Sequence, residues 1–123
     1  MNQLTKLCRS IASALVLLLA AVPSALAHAH PMLMKPAPDS TGPAPSSISI
    51  TFSEAVEPKF SSIQLTDEKG KSVDSEASKP KPNDPKTLIL AVPKLTTGTY
   101  IVHWANVAVD GHRLGGSYKF TVR

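Results

Sequence analysis

From residue 48 onward, apolar side chains recur at every second position in short runs, and turn-forming residues close those runs. Ile48-Ser49-Ile50-Thr51-Phe52 alternates strictly, the pattern of a strand with one face in a core and the other in water. Ser61 to Thr66 repeats it, and Thr87 to Val92 is a short apolar run. Thr99 to Val107 sets Tyr100, Val102 and Trp104 on one face, and Ser117 to Arg123 does the same with Tyr118, Phe120 and Val122. Between them lie breaks. Residues 35–47 hold four prolines, and Asp67 to Gly70 reads as a turn into a short edge strand, Lys71 to Val73. Residues 74–86, polar with three prolines, read as an exposed loop, and Pro93 to Gly98 turns the chain again. None of these stretches holds a helical period. Six or seven short strands punctuated this way predict an all-β fold, a small antiparallel sandwich or Greek-key barrel. Its expected core is Ile48, Ile50, Phe52, Leu65, Leu88, Leu90, Tyr100, Val102, Trp104, Phe120 and Val122.

The first 27 residues have a different character. Lys6 and Arg9 make a basic start, Ile11 to Val22 is an apolar run, Pro23 breaks it, and Ala25-Leu26-Ala27 is a small-x-small cleavage signal. This is the order of a cleaved secretory signal, and the run is shorter than the about 20 residues a membrane span needs. Cys8 precedes the apolar run and leaves with the signal. The expected domain, residues 28–123, then has no cysteine, which excludes disulfides, zinc-thiolate sites and cysteine nucleophiles. Without Lys6 and Arg9 it carries 11 basic against 9 acidic residues, scattered along the chain. Neither that balance nor export suits nucleic-acid binding.

Cleavage after Ala27 makes His28-Ala29-His30-Pro31 the new N-terminus, and Ala27-His28-Ala29 is itself a possible second cleavage signal that would leave His30 first. Either way a histidine becomes residue one. A terminal histidine can offer its α-amine and its Nδ1 to one metal, and two nitrogen donors from one residue suit Cu(II), which favours tetragonal N,O sites. Near the other end stands Asp110-Gly111-His112, followed by Gly115-Gly116. In extended backbone, Asp110 and His112 would project on the same side and reach one ion. Asp-Gly is also a common hairpin-turn signal. Met32 and Met34 are the only methionines left after cleavage, too few for a methionine-rich Cu(I) site. His103 alternates against Tyr100, Val102 and Trp104 and is expected to face away from the core as an ordinary strand residue.

An exported β domain that begins with histidine, carries Phe52-Ser53-Glu54 after its first clear strand, then Gly98-Thr99-Tyr100, Trp104, Asp110-Gly111-His112 and Gly115 before its last strand, resembles the CopC family of bacterial periplasmic copper-binding proteins. The resemblance implies a cupredoxin-like β-barrel of about seven strands. It also implies a Cu(II) site built from the amine and imidazole of His28 with Asp110 and His112. Glu54 maps to a family glutamate near that site and is, with His30, a further metal candidate, its expected role being more to support the ligands than to bind. Pro36, eight positions after His28, matches the family spacing and favours His28 as residue one, although Pro31 stands where the family usually has an aliphatic residue. The methionine- and histidine-rich loop of some members has no counterpart in residues 66–86. The implied function is a periplasmic copper carrier or chaperone for resistance or homeostasis, not an enzyme, with an inner-membrane transporter of the CopD type as partner. The competing reading is a copper-dependent monooxygenase-like enzyme, because a terminal-histidine brace also resembles the site of lytic polysaccharide monooxygenases.

Overall fold

The computed structural model describes residues 28–73 and 75–123; the signal read in residues 1–27 lies outside the described residues. Eight strands follow one another: β1 (Pro31–Lys35), β2 (Thr41–Gly42), β3 (Ser47–Phe52), β4 (Ser62–Asp67), β5 (Lys79–Lys81), β6 (Asp84–Ala91), β7 (Gly98–Val107) and β8 (Arg113–Val122). One turn of 3-10 helix, Pro58–Phe60, interrupts them. The strands form two four-stranded sheets, ordered β1-β3-β6-β5 and β2-β8-β7-β4. All pairings are antiparallel except the two-residue β2, which runs parallel to β8.

The alternation explains which faces meet. Ile48, Ile50 and Phe52 of β3 and Leu88 and Leu90 of β6 point inward from one sheet. Ile63 and Leu65 of β4, Tyr100 and Val102 of β7, and Phe120 and Val122 of β8 answer from the other. Each such side chain, fully buried, contributes about 1.5–3 kcal/mol. Ala29, Val56, Leu95 and Ala108 join this core from outside the regular alternation. Trp104 is only half-buried, but its ring lies 5.7 Å from that of Phe52 across the sandwich.

The strands absent from the sequence reading are those with little apolar signal. Residues 74–86 contain β5 and the start of β6, joined through Pro82 and Asn83, the latter at φ 61°. Every residue of β5 is exposed, so hydrophobic period could not reveal it; main-chain pairing to β6 holds it. Its Lys-Pro-Lys composition also discourages another chain from adding to that edge. The edge strand expected at Lys71 to Val73 reduces to a bridge between Thr66 and Ser72. In β1, a shift of register between Pro31 and Leu33 leaves both Met32 and Leu33 exposed, which erases the alternation.

Two features place the site. β7 and β8 pair through ten successive positions, from Gly98 with Val122 to Val107 with Arg113, and carry their connecting tip to one end of the sandwich. The segment crossing from β3 to β4 is tied beside that tip. Glu57 N–H donates to the Val107 carbonyl at 2.8 Å, Val107 N–H donates to Ser61 Oγ at 3.0 Å, and Val56 bridges to Ala108.

Gly116 lies opposite Trp104 in this hairpin. A Cβ there would fall 3.0–3.2 Å from three indole atoms, so Gly116→Ala forces the ring to move. Overpacking of this kind costs about 1–3 kcal/mol. A urea melt should show a loss toward the lower end, because the ring is half-exposed and can give. Emission from the single tryptophan should shift; an unchanged spectrum would show that the indole does not rest on Gly116.

Candidate metal centre

Residues 28–30 form a short arm ahead of β1, and both sheets hold it. From the β3 side, Ser53 N–H donates to the His30 carbonyl at 2.8 Å. Ser53 Oγ accepts from His30 N–H and donates to the His28 carbonyl, each at 3.0 Å. From β7, Asn106 Nδ2 donates to the Ala29 carbonyl at 2.8 Å. Ala29 itself is 1 % exposed and part of the core. With the alanine turned inward, the histidines on either side stay at the surface end. The His28 ring centroid lies 4.7 Å from that of His112 and 5.9 Å from that of His30.

His112 arrives from the β7–β8 tip. Gly111 N–H donates to the Ala108 carbonyl and Ala108 N–H to the His112 carbonyl, both at 2.8 Å. The chain thus reverses over Val109, Asp110 and Gly111, and Gly111 takes φ 89°, a conformation glycine adopts without penalty. Asp110 and His112 therefore do not lie in extended backbone, the premise from which a shared direction was expected. They are brought together by the turn. Asp110 Oδ1 accepts from His112 N–H at 3.0 Å, and Oδ2 stands 2.9 Å from His112 Nδ1. The second approach is close, but among the described residues Nδ1 has no aligned hydrogen bond.

The His112 N–H is the main influence holding the Asp110 carboxylate below its ordinary value near 3.8. Lost hydration opposes it, while the His112 side chain and the nearby His28 reinforce it. The carboxylate is thus kept charged, which suits a cation.

Glu54 lines a pocket with Ala55, Ala108, Val109 and Asp110, on the flank of the tip. His103 is exposed on β7 and its Nε2 is 3.0 Å from Thr66 Oγ1, as expected of a strand residue facing away from the core. Among the described residues, no three His, Cys, Asp or Glu side chains stand at one metal-binding point. What converges is the imidazole pair of His28 and His112, with Asp110 turned onto the latter. Among the described residues, side chains alone leave such a site short of donors. A charged carboxylate and two imidazoles make a nitrogen-and-oxygen set that fits a divalent transition metal.

Ser53 and Asn106, which seat the arm, were not singled out from sequence. Asn106 left a trace: it is a polar residue at the next inward position after Tyr100, Val102 and Trp104.

Comparison with known proteins adds the following. Residues 33–123 match the family model of the CopC domain. Protein YobA of Escherichia coli K12 is 38% identical over 119 residues, covering 94% of this chain and 96% of its own length. Copper resistance protein C of Xanthomonas campestris pv. juglandis is 38% identical over 123 residues, covering 94% and 97%. The crystal structure of CopC from Methylosinus trichosporium OB3b superposes with a TM-score of 0.72 at 33% identity, covering 77% of this chain and 93% of that one.

The hairpin tip makes a pH prediction in the metal-free protein. Because its folded value is the lower one, the Asp110 carboxylate stabilises the tip above about pH 4, and that contribution fades as pH falls through the lowered midpoint. Carboxyl NMR should find the Asp110 midpoint below 3.8. His112→Ala should raise it only part of the way, since the main-chain N–H remains. A midpoint at or above 3.8 in the unmutated protein would contradict the observed tip geometry.

Proposed function

The chain belongs to the CopC domain family, and from that premise we propose that it is an exported, periplasmic protein that holds one Cu(II) ion and carries it in copper resistance or homeostasis. The observation that carries this reading is the approach of the His28 and His112 imidazoles to 4.7 Å, from an N-terminal arm and a hairpin tip remote in sequence. Removal of residues 1–27 turns the His28 amide into a free amine. The amine and imidazole of His28, the Asp110 carboxylate and the His112 imidazole then supply nitrogen and oxygen donors of the kind Cu(II) prefers. Glu54, beside Asp110, and His30, beside His28, lie close enough to orient the ligands without being needed among them. Copper is cargo on this reading, and a membrane transporter of the CopD type is the partner the family resemblance implies. No helix among the described residues is long and apolar enough to cross a membrane. The name of the Xanthomonas relative is that of a copper resistance protein, not of an enzyme, which favours holding the metal over oxygen chemistry.

The test uses protein beginning at His28. It should bind Cu(II) one to one. His28→Ala, Asp110→Ala and His112→Ala should each weaken binding by more than about tenfold, the equivalent of 1.4 kcal/mol, whereas His103→Ala should not. A methionine retained before His28 should weaken binding too, although every side chain is present. Affinity should fall on acidification because protons compete with copper for the amine and imidazoles. Equal affinity and identical EPR spectra for the extended and processed chains would remove the amine from the ligand set. Oxidised products from reduced, copper-loaded protein with oxygen and an oligosaccharide would overturn the carrier reading in favour of an enzyme.

A further inference from the structure

We infer that Ser53 and Asn106 act together as positioning residues, a clamp that fixes the register of residues 28–30 so that His28, and not His30, is the terminal residue presented to the metal. The inference rests on the Cu(II) reading above and assigns the two residues a role in it.

The clamp has one jaw in each sheet. Ser53, directly after β3, uses both its N–H and its hydroxyl, and the hydroxyl spans the His30 N–H and the His28 carbonyl. Asn106, near the end of β7, is 1 % exposed and donates to the carbonyl between them. Among the described residues its Oδ1 has no partner, so the Ala29 bond is what orients the carboxamide. A buried amide with an unsatisfied oxygen is unfavourable for folding alone; its side-chain bond among the described residues goes to the arm. A free N-terminal tripeptide would otherwise be mobile, and ordering it in advance removes an entropic cost from metal binding.

The clamp also selects the register. Ala29 fills a core slot between the jaws, and its small side chain lets the backbone lie that close. Cleavage after Ala29 would leave a chain that still has a terminal histidine, Asp110 and His112. That chain could bring His30 to the place of His28 only by sliding two residues, about 6.5 Å of extended backbone. The slide would put Pro31 in the slot of Ala29, where a ring replaces a methyl. The donors would be conserved in kind and lost in position.

The experiment compares proteins beginning at His28, unmutated or carrying Asn106→Leu, Ser53→Ala or Ser53→Thr, with a chain beginning at His30. Three readouts are taken: Cu(II) affinity by competition titration, the Cu(II) EPR spectrum, and, without metal, hydrogen exchange of the His30 amide. Asn106→Leu and Ser53→Ala should weaken Cu(II) by about 10–100-fold, the range for residues that orient ligands, and alter the EPR spectrum. Ser53→Ala should also speed His30 amide exchange, since that amide then keeps only its bond to the His28 carbonyl. Ser53→Thr, which keeps a hydroxyl, should restore all three. The chain beginning at His30 should bind at least about 100-fold more weakly. Unchanged affinity, spectrum and exchange in Ser53→Ala would overturn the clamp, as would full-strength binding by the chain beginning at His30. Ser53→Ala keeps the test decisive if Asn106→Leu does not fold. Failure of the unmutated His28 chain to bind Cu(II) would instead overturn the copper reading itself, a result distinguishable from the others.

Discussion

The ten-position pairing of β7 with β8 is the constraint on which the rest of the molecule depends. It supplies the inward row Tyr100, Val102, Phe120 and Val122 that one sheet contributes to the core. It also carries the buried layer up to the tip, where Ala108 still belongs to the core and Asp110 and His112 follow directly. Antiparallel ribbons of this length resist bending because each step is held by main-chain bonds and by packing on one face. The tip is braced further by Glu57 and Ser61 bonding to Val107 from the crossing segment. A side chain at the tip is therefore positioned by the sandwich and not by a free loop.

The same ribbon explains how distant parts of the chain meet. Asn106 belongs to the last inward position before the tip, and its partner is Ala29, 77 residues away. Ser53 belongs to the other sheet, one residue beyond β3. The arm lies where the ends of these two strands come together, which is why a tripeptide with no secondary structure of its own can have one residue as deeply buried as the core.

Legibility in the sequence followed burial. Strands with one wet and one dry face announced themselves, and all eleven expected core residues are buried or, for Trp104, packed against the buried cluster. β5 was invisible because it has no dry face, and β1 because a bulge at Met32 breaks its alternation. At the site, the short spacing of Asp110 and His112 was legible, but the reason they share a direction was not. It is an Asx contact at a turn, a local hydrogen bond that competes with extended geometry. Ser53 and Asn106 act through main-chain groups of residues far off in sequence, and no spacing rule registers a partner of that kind.

On the proposed copper reading, the seat of the arm bears on when the protein could hold metal. While residues 1–27 are attached, the nitrogen of His28 is a peptide nitrogen, and the donor set proposed here lacks one member. Severing that bond would alter no side chain, yet on the proposed reading it would finish the site. Competence would then be dated to the cut itself: the newly made chain would lack the full donor set and would acquire its appetite for copper only once residues 1–27 were gone.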